Sequence, residues 1–204
     1  MTLKEKAYQT IRERILDGIY EPGQMLNEKS ITEELQISRT PFREAINLLE
    51  RDGLITIKPN HGFYVHELSV QDMMEIFDVR FLLEPTVARL AASRMDERVA
   101  QQLRSRTSQA LDGTISDMLR EDNYFHMTVL HSISNTYLIR CMEDVYTYFR
   151  ISNYGDKRLF SLEPSLREHL QILDALAAHD PDRAEEATRL HLMESRKRAA
   201  GLVF

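Results

Sequence analysis

The sequence is poor in the residues that staple or interrupt a fold. Cys141 is its only cysteine, which excludes an internal disulfide and any zinc site built on cysteine ligands. Its expected role is that of a small buried filler. Glycine is scarce: beyond Gly62 only Gly113, Gly155 and Gly201 occur, and the same region lacks period-2 alternation, so strands are not expected there. There is no run of about 18 apolar residues. The N-terminus reads Met1-Thr2-Leu3-Lys4-Glu5-Lys6 with no apolar signal region, and the expectation is a soluble cytoplasmic protein without membrane contact.

A basic excess is also missing. The chain carries 26 Lys and Arg against 32 Asp and Glu. Residues 1–66 hold nine basic and ten acidic residues, and the remainder holds 17 and 22. Neither part is a basic domain. Contact with nucleic acid would therefore rest on the local placement of Lys29, Arg39, Arg43 and Lys58. Modest, salt-dependent affinity per site follows, and with it a need for dimerisation.

With 204 residues, 43% of them hydrophobic, the chain has enough material for two compact domains or one large one. Residues 31–65 organise the first. A short helix over 28–35, capped by Asn27, breaks at Gln36-Ile37. Ser38 is placed to cap a second helix, with Pro41 in its first turn, where a missing N–H costs nothing. Phe42, Ala45, Ile46 and Leu49 form one apolar stripe, leaving Arg39, Thr40 and Arg43 on the opposite face. Gly53 ends that helix. Two β-like runs, 54–57 and 63–66, flank Lys58-Pro59-Asn60-His61-Gly62. With a preceding helix over 3–18 carrying Ala7, Ile11 and Ile15, this is a winged helix-turn-helix whose second helix suits a major groove. Residues 67–68 form a linker.

From residue 69 onward the pattern is helical throughout, so the fold class is mainly α: a winged helix-turn-helix followed by an all-α bundle. Six helices are expected at 70–94 (with Pro85 as a point of bending), 97–111, 115–134, 136–154, 162–178 and 181–200. Asp96, Thr114, Asn135 and Asp180 are placed to cap four of them, Pro181 taking the first helical position of the last.

Three histidines and an aspartate stand out in this bundle. Asp122 and His126 are four apart, on one helix face continued by Val129 and Ile133. His169 shares a stripe with Leu166, Leu173 and Leu176, and His191 one with Ala184, Ala187 and Ser195. Buried imidazoles and carboxylates are costly unless paired or coordinated. A divalent ion taking three imidazole nitrogens and one carboxylate oxygen answers all four together, a ligand set suited to zinc, nickel, cobalt or manganese. Arg80, on the row Met73, Phe77, Arg80, Glu84, Val87, is a candidate to clamp a ligand carboxylate; the alternative is an intrahelical pair with Glu84. His66, His131 and His179 read as connector, surface and helix-end residues. The methionines on these helices read as core, and so by default do the aromatics, with lining of a pocket as the alternative for Tyr124, Tyr146, Tyr148 and Phe149.

Two resemblances follow from these residues. Residues 6–66 resemble the N-terminal domain of GntR-family transcriptional regulators, through Ser38-Arg39-Thr40-Pro41-x-Arg43-Glu44-Ala45, Leu49, Gly53-Leu54 and the wing from Gly62 to Val65. Residues 69–204 resemble the FCD effector domain of the FadR subfamily, through Arg80-x-x-Leu83-Glu84, Asp122-x3-His126, Asn135-x-x-Leu138, Glu168-His169-x-x-Ile172 with Ala175-Leu176, and His191. Six rather than seven helices resemble the shorter, VanR-type group. The resemblance implies DNA contacts at Lys29, Arg39, Thr40 and Arg43, wing contacts near Asn60, His61 and Gly62, and one metal per chain at Asp122, His126, His169 and His191. Lys29 stands where the family often has Arg, and the connection over 150–165 is short.

The implied function is a ligand-responsive regulator, not an enzyme. A homodimer would place two recognition helices about 34 Å apart on double-stranded operator DNA. Arg39 and Arg43 would read guanine edges or neighbouring phosphates, while Lys29 and Thr40 hold the backbone. A small carboxylic acid in the bundle, engaged by Arg80, would change operator affinity, with repression relieved by the acid as the expected sign. The rival readings are a metal-dependent enzyme with an accessory DNA-binding domain and a constitutive architectural DNA-binding protein.

Overall fold

The computed structural model describes residues 1–155 and 162–201. They fall into two compact units, one holding Met1–Ser69 and Arg150–Gly155, the other Val70–Phe149 and the helices from residue 162 on.

The first unit is built on α1 (Leu3–Leu16), β1 (Met25–Leu26), α2 (Glu28–Leu35), α3 (Arg39–Arg51), β2 (Ile55–Lys58) and β3 (Gly62–Val65). α1 opens with a capping box: Thr2 accepts from the Glu5 N–H while the Glu5 carboxylate accepts from the Thr2 N–H. Asn27 accepts from the Ser30 N–H and starts α2. Ala7 and Ile11 of α1 meet Phe42, Ala45, Ile46 and Leu49 of α3 in a core closed to solvent. The apolar stripe of α3 thus faces inward, while Arg39, Thr40 and Arg43 are exposed.

The structure differs from expectation here in three places. Ser38 occupies the N-cap position of α3 in extended backbone but makes no side-chain capping bond. The strands lie one residue away from the expected runs, and a third strand, β1, pairs antiparallel with β3 through Met25↔Tyr64 and Leu26↔Phe63. Two residues are too short to show a period, so β1 left no trace in the pattern. The sheet order is β1-β3-β2, with Ile55↔Val65 and Lys58↔Gly62 fixing the wing register. Gly62 sits at φ +116°, a conformation that favours glycine, and this allows the wing to turn so tightly.

Six described helices follow, α4 (Val70–Ala92), α5 (Glu97–Ala110), α6 (Ile115–His131), α7 (Thr136–Gly155), α8 (Leu162–Ala177) and α9 (Pro181–Ala199), and all but the last residues of α7 belong to the second unit. Asp96, Thr114, Asn135 and Asp180 each accept a backbone N–H of the first turn that follows, which sets the starts of α5, α6, α7 and α9. Pro85 is buried inside α4, which is assigned as one continuous helix. α4 lies along α9, α8 packs on α9 and α5, and α6 touches α4, α5 and α8. Leu103, Phe125, Val129, Leu130, Met142, Leu173 and Leu176 fill the space between them. Cys141 is exposed rather than buried, because Met142 and Tyr146 carry the inward stripe of α7. Part of the short connection, residues 156–161, lies outside the described residues.

Between α2 and α3, Gln36 stands at φ 55° in the left-handed region, where a side chain adds strain that glycine does not feel. Gln36→Gly should stabilise the first unit by up to about 1 kcal/mol in chemical denaturation. A lower midpoint in the variant would contradict this reading of the turn.

Candidate functional site

Three of the four metal candidates, the histidines, converge inside the second unit, while Asp122 lies beside His169 and outside the set of mutually close ligand atoms. α6 carries Asp122 and His126 one turn apart, α8 supplies His169 and α9 supplies His191. Their exposures are 6%, 6%, 0% and 2%, so bulk water cannot solvate them. His126, His169 and His191 each place a ring nitrogen within 4.8 Å of the others. His169 Nε2 and His191 Nε2 are 3.4 Å apart. Asp122 Oδ1 lies 3.9 Å from His169 Nε2.

A second layer holds the rings. His191 Nδ1 is 2.8 Å from Glu168 Oε2, and Arg198 binds both Glu168 oxygens at 2.7 Å. With Nδ1 donating to Glu168, the His191 Nε2 lone pair is left facing His169, the carboxylate–imidazole arrangement that prepares a histidine as a ligand. Phe125 stacks on His169 at 3.9 Å between ring centres, fixing its plane. His169 Nδ1 is buried with no hydrogen-bond partner among the described residues. The Nε2 edge of that ring therefore carries its polar contacts, and these are another imidazole and a carboxyl group.

Burial sets the charge state. It lowers the three histidines from their ordinary range, assisted at His126 and His169 by neighbouring cationic groups and opposed at His191 by Glu168. It pushes Asp122 up to about 7 against the pull of Arg80. Glu168, although burial raises it, is held low overall by Arg198 and His191. Three neutral imidazoles with converging nitrogens are what a borderline cation requires. Two such nitrogens on one ion at bond lengths of about 2.0–2.1 Å stand some 3–3.5 Å apart, which the 3.4 Å His169–His191 separation fits.

Arg80 forms the intrahelical pair with Glu84, fully buried. Its guanidinium lies 3.8 Å from the ring centre of Phe149, and Nη1 has no partner among the described residues. Glu84 in turn is 3.8 Å from His126 Nδ1. Glu84, His126, Tyr146, Thr188 and His191 line a cavity with about 10 Å³ of water-sized space. That is room for about one water. Sequence alone assigns Thr188 no role and names Glu84 only as the partner of Arg80, Tyr146 only as a pocket-lining candidate and Glu168 only as a motif residue, because their meeting with the cluster is a relation between helices that spacing along one helix does not carry. Of the remaining histidines, His66 pairs with Thr56, His131 with Glu143, and His179 with the Ala92 carbonyl.

The first unit presents the nucleic-acid candidates. Arg39 and Arg43 lie four apart on the exposed face of α3, with Thr40 beside them. Lys29 on α2 is exposed and 3.9 Å from Glu33. Asn60 and His61 are exposed at the wing tip, with Gly62 half-buried below them, and Lys58 Nζ sits 4.5 Å from the Tyr64 ring centre. Arg43 pairs with Glu28, while Arg39 has no ion pair among the described residues. Donors at the start of a helix and on a wing suit a major groove and its flanking phosphates.

Two family models match successive parts of the chain. The family described as "Bacterial regulatory proteins, gntR family" matches residues 3–65, and the family described as "FCD domain" matches residues 75–194. The uncharacterized HTH-type transcriptional regulator YdhC of Bacillus subtilis is 29% identical over 193 residues, covering 90% of this chain and 85% of that protein. The HTH-type transcriptional repressor RspR of Escherichia coli is 30% identical over 197 residues, covering 94% and 86%. Among solved structures, E. coli McbR/YncC superposes with a TM-score of 0.81 at 20% identity over 99% of both chains, a likeness of fold.

The charge states predict a pH response in metal-free protein. The unfolded chain protonates its histidines near pH 6.5, whereas the folded unit resists protonation, so stability falls as pH drops through that value. Asp122 acts oppositely: its contribution is complete below 3.8 and is lost as pH rises toward about 7. Three histidines outweigh one carboxyl, so acidification from about pH 7.5 to about pH 5.5 should lower the metal-free Tm by several degrees. A rise in Tm over that interval would contradict the neutral cluster.

Proposed function

The chain belongs to the GntR family of bacterial regulatory proteins and carries an FCD domain, and from that premise we propose that it is a metal-loaded, acid-responsive repressor acting as a homodimer. It is a DNA-binding transcriptional regulator, not an enzyme, as its relatives are. In our reading residues 1–66 bind operator DNA, 67–68 link, and 69–204 form the sensor.

The observation that carries the proposal is the buried convergence of His126, His169 and His191 beside a cavity. Asp122 completes the proposed ligand set, and the nitrogen and oxygen donors favour zinc, nickel, cobalt or manganese. A bound cation there supplies a Lewis-acidic position for a carboxylate oxygen. Glu168 and Arg198 keep His191 oriented, Phe125 keeps His169 in plane, and Tyr146 lines the cavity where a guest would sit. Arg80 Nη1 is a nearby cationic donor without a partner among the described residues, and an acid engaging Arg80 would compete with Glu84 for the same guanidinium.

The cavity as it stands holds about one water, so a carboxylic acid requires the helices that line it to move apart. Binding that demands a different helix packing is binding to one state over another, and such a preference gives the acid leverage over the sensor. On the DNA, Arg39 and Arg43 would read base edges or phosphates, Lys29 and Thr40 would hold the backbone, and Asn60, His61 and Gly62 would bring the wing to the flank. RspR, a relative named as a repressor, supports the sign we assign.

The test uses duplexes selected from a random-sequence library by the purified full chain, with metal content measured alongside. About one divalent ion per chain is expected, and His169→Ala should lose both the ion and thermal stability. Among small carboxylic acids, at least one should weaken operator binding by about fivefold or more, in metal-loaded protein only. Full metal occupancy in His169→Ala would overturn the ligand set. Operator affinity unmoved by every acid would favour a constitutive architectural protein, and consumption of an acid would favour an enzyme.

A further inference from the structure

Arg43 and Arg39 share the exposed face of α3, yet the structure treats them differently. Glu28, the first residue of α2, reaches across the helix-turn-helix and takes Arg43 from the side: Oε1 accepts from Nε at 3.0 Å and Oε2 from Nη2 at 3.2 Å. The Glu28 side chain is only 21% exposed, while that of Arg43 is 60% exposed, so the carboxylate is the fixed partner and the guanidinium the presented one. The Glu28 backbone is itself pinned, because Asn27 caps its helix and the Thr32 hydroxyl donates to the Glu28 carbonyl at 2.8 Å.

A guanidinium has five N–H donors. Glu28 occupies two, along the Nε/Nη2 edge, and leaves one hydrogen of Nη1 and one of Nη2 on the outward edge, the second Nη1 hydrogen pointing back beside the side-chain stem. That outward edge is the one that matches O6 and N7 of guanine, or two oxygens of a phosphate, in bidentate fashion. The same carboxylate puts a negative charge beside the phosphate-facing surface. Duplexes that do not offer the outward edge a partner meet that charge without compensation.

We propose that Glu28 is a positioning residue for DNA recognition: by clamping the inner edge of Arg43 it aims the outer edge at one base pair and penalises duplexes that lack it. The proposal rests on the DNA-facing reading of Arg43 given above. Arg39, without such a partner among the described residues, contributes affinity that is less selective for sequence.

The experiment measures binding of the full chain to its library-selected duplex and to a scrambled duplex, and repeats the selection with each variant. In Glu28→Gln, the ratio of specific to scrambled affinity should fall about tenfold, within the discrimination that one good bidentate contact provides. The lost preference should fall at the base pair that Arg43→Ala also relaxes, scrambled-duplex affinity should hold or rise, and Glu28→Gln added to Arg43→Ala should cost nothing further. Full discrimination retained in Glu28→Gln would overturn the proposal. So would an equal loss on both duplexes with reduced helix content, since that marks Glu28 as a support of the fold. If Arg43→Ala itself leaves discrimination intact, the DNA-facing reading of Arg43 fails and the proposal falls with it, an outcome separable from a failure of Glu28 alone.

Discussion

Removing three imidazoles and a carboxyl group from water is the constraint around which the second unit is arranged. Burial is the largest cause that lowers His126, His169 and His191 below their ordinary range and pushes Asp122 up to about 7, with Arg80 adding to the first effect and opposing the second. Such a cluster gives the core no hydrophobic gain and leaves the unit with a buried ring nitrogen, His169 Nδ1, that has no partner among the described residues. The surroundings are built to hold this arrangement. Glu168 and Arg198 lock one ring, Phe125 another, and hydrophobic residues such as Val129, Leu173 and Leu176 fill the remaining faces. Polar groups held in this way by their neighbours are the basis on which we propose a cation site.

The Arg80–Glu84 pair gives the same unit a second unresolved feature. Both residues are buried, and the pair satisfies the Glu84 carboxylate better than the guanidinium, whose Nη1 has no partner among the described residues. Breaking such a pair without replacing it is costly, whereas exchanging one carboxylate for another is not. The helix that bears it also lines the small cavity through Glu84, Val87 and Ala88. An acid that displaces Glu84 would thus act on the packing of α4 as well as on its own binding.

Much of this was legible before the coordinates. The bundle helices follow caps that sequence spacing marks plainly, and Asp96, Thr114, Asn135 and Asp180 all make the bonds expected of them. Stripe arithmetic placed His126, His169 and His191 on inward faces because 3-4 spacing with Val129, Leu173 and Ala184 leaves no other orientation. What the pattern could not carry were relations between elements. Glu168 meets His191 from another helix, Glu28 meets Arg43 across a turn, and β1 is too short to have a period. Cys141 was misread because small apolar character does not say which face of α7 it occupies; its neighbours Met142 and Tyr146 settle that. Ser38 holds the cap position with its hydroxyl unused, so residue type alone overstated a local bond.

The account turns on whether a cation sits where the rings converge. Anomalous diffraction from zinc-loaded crystals, recorded on both sides of the zinc absorption edge, locates it directly. The expected result is one strong peak per chain within bonding distance of ring nitrogens from His126, His169 and His191. A peak elsewhere, or none at that position in fully loaded crystals, would contradict it.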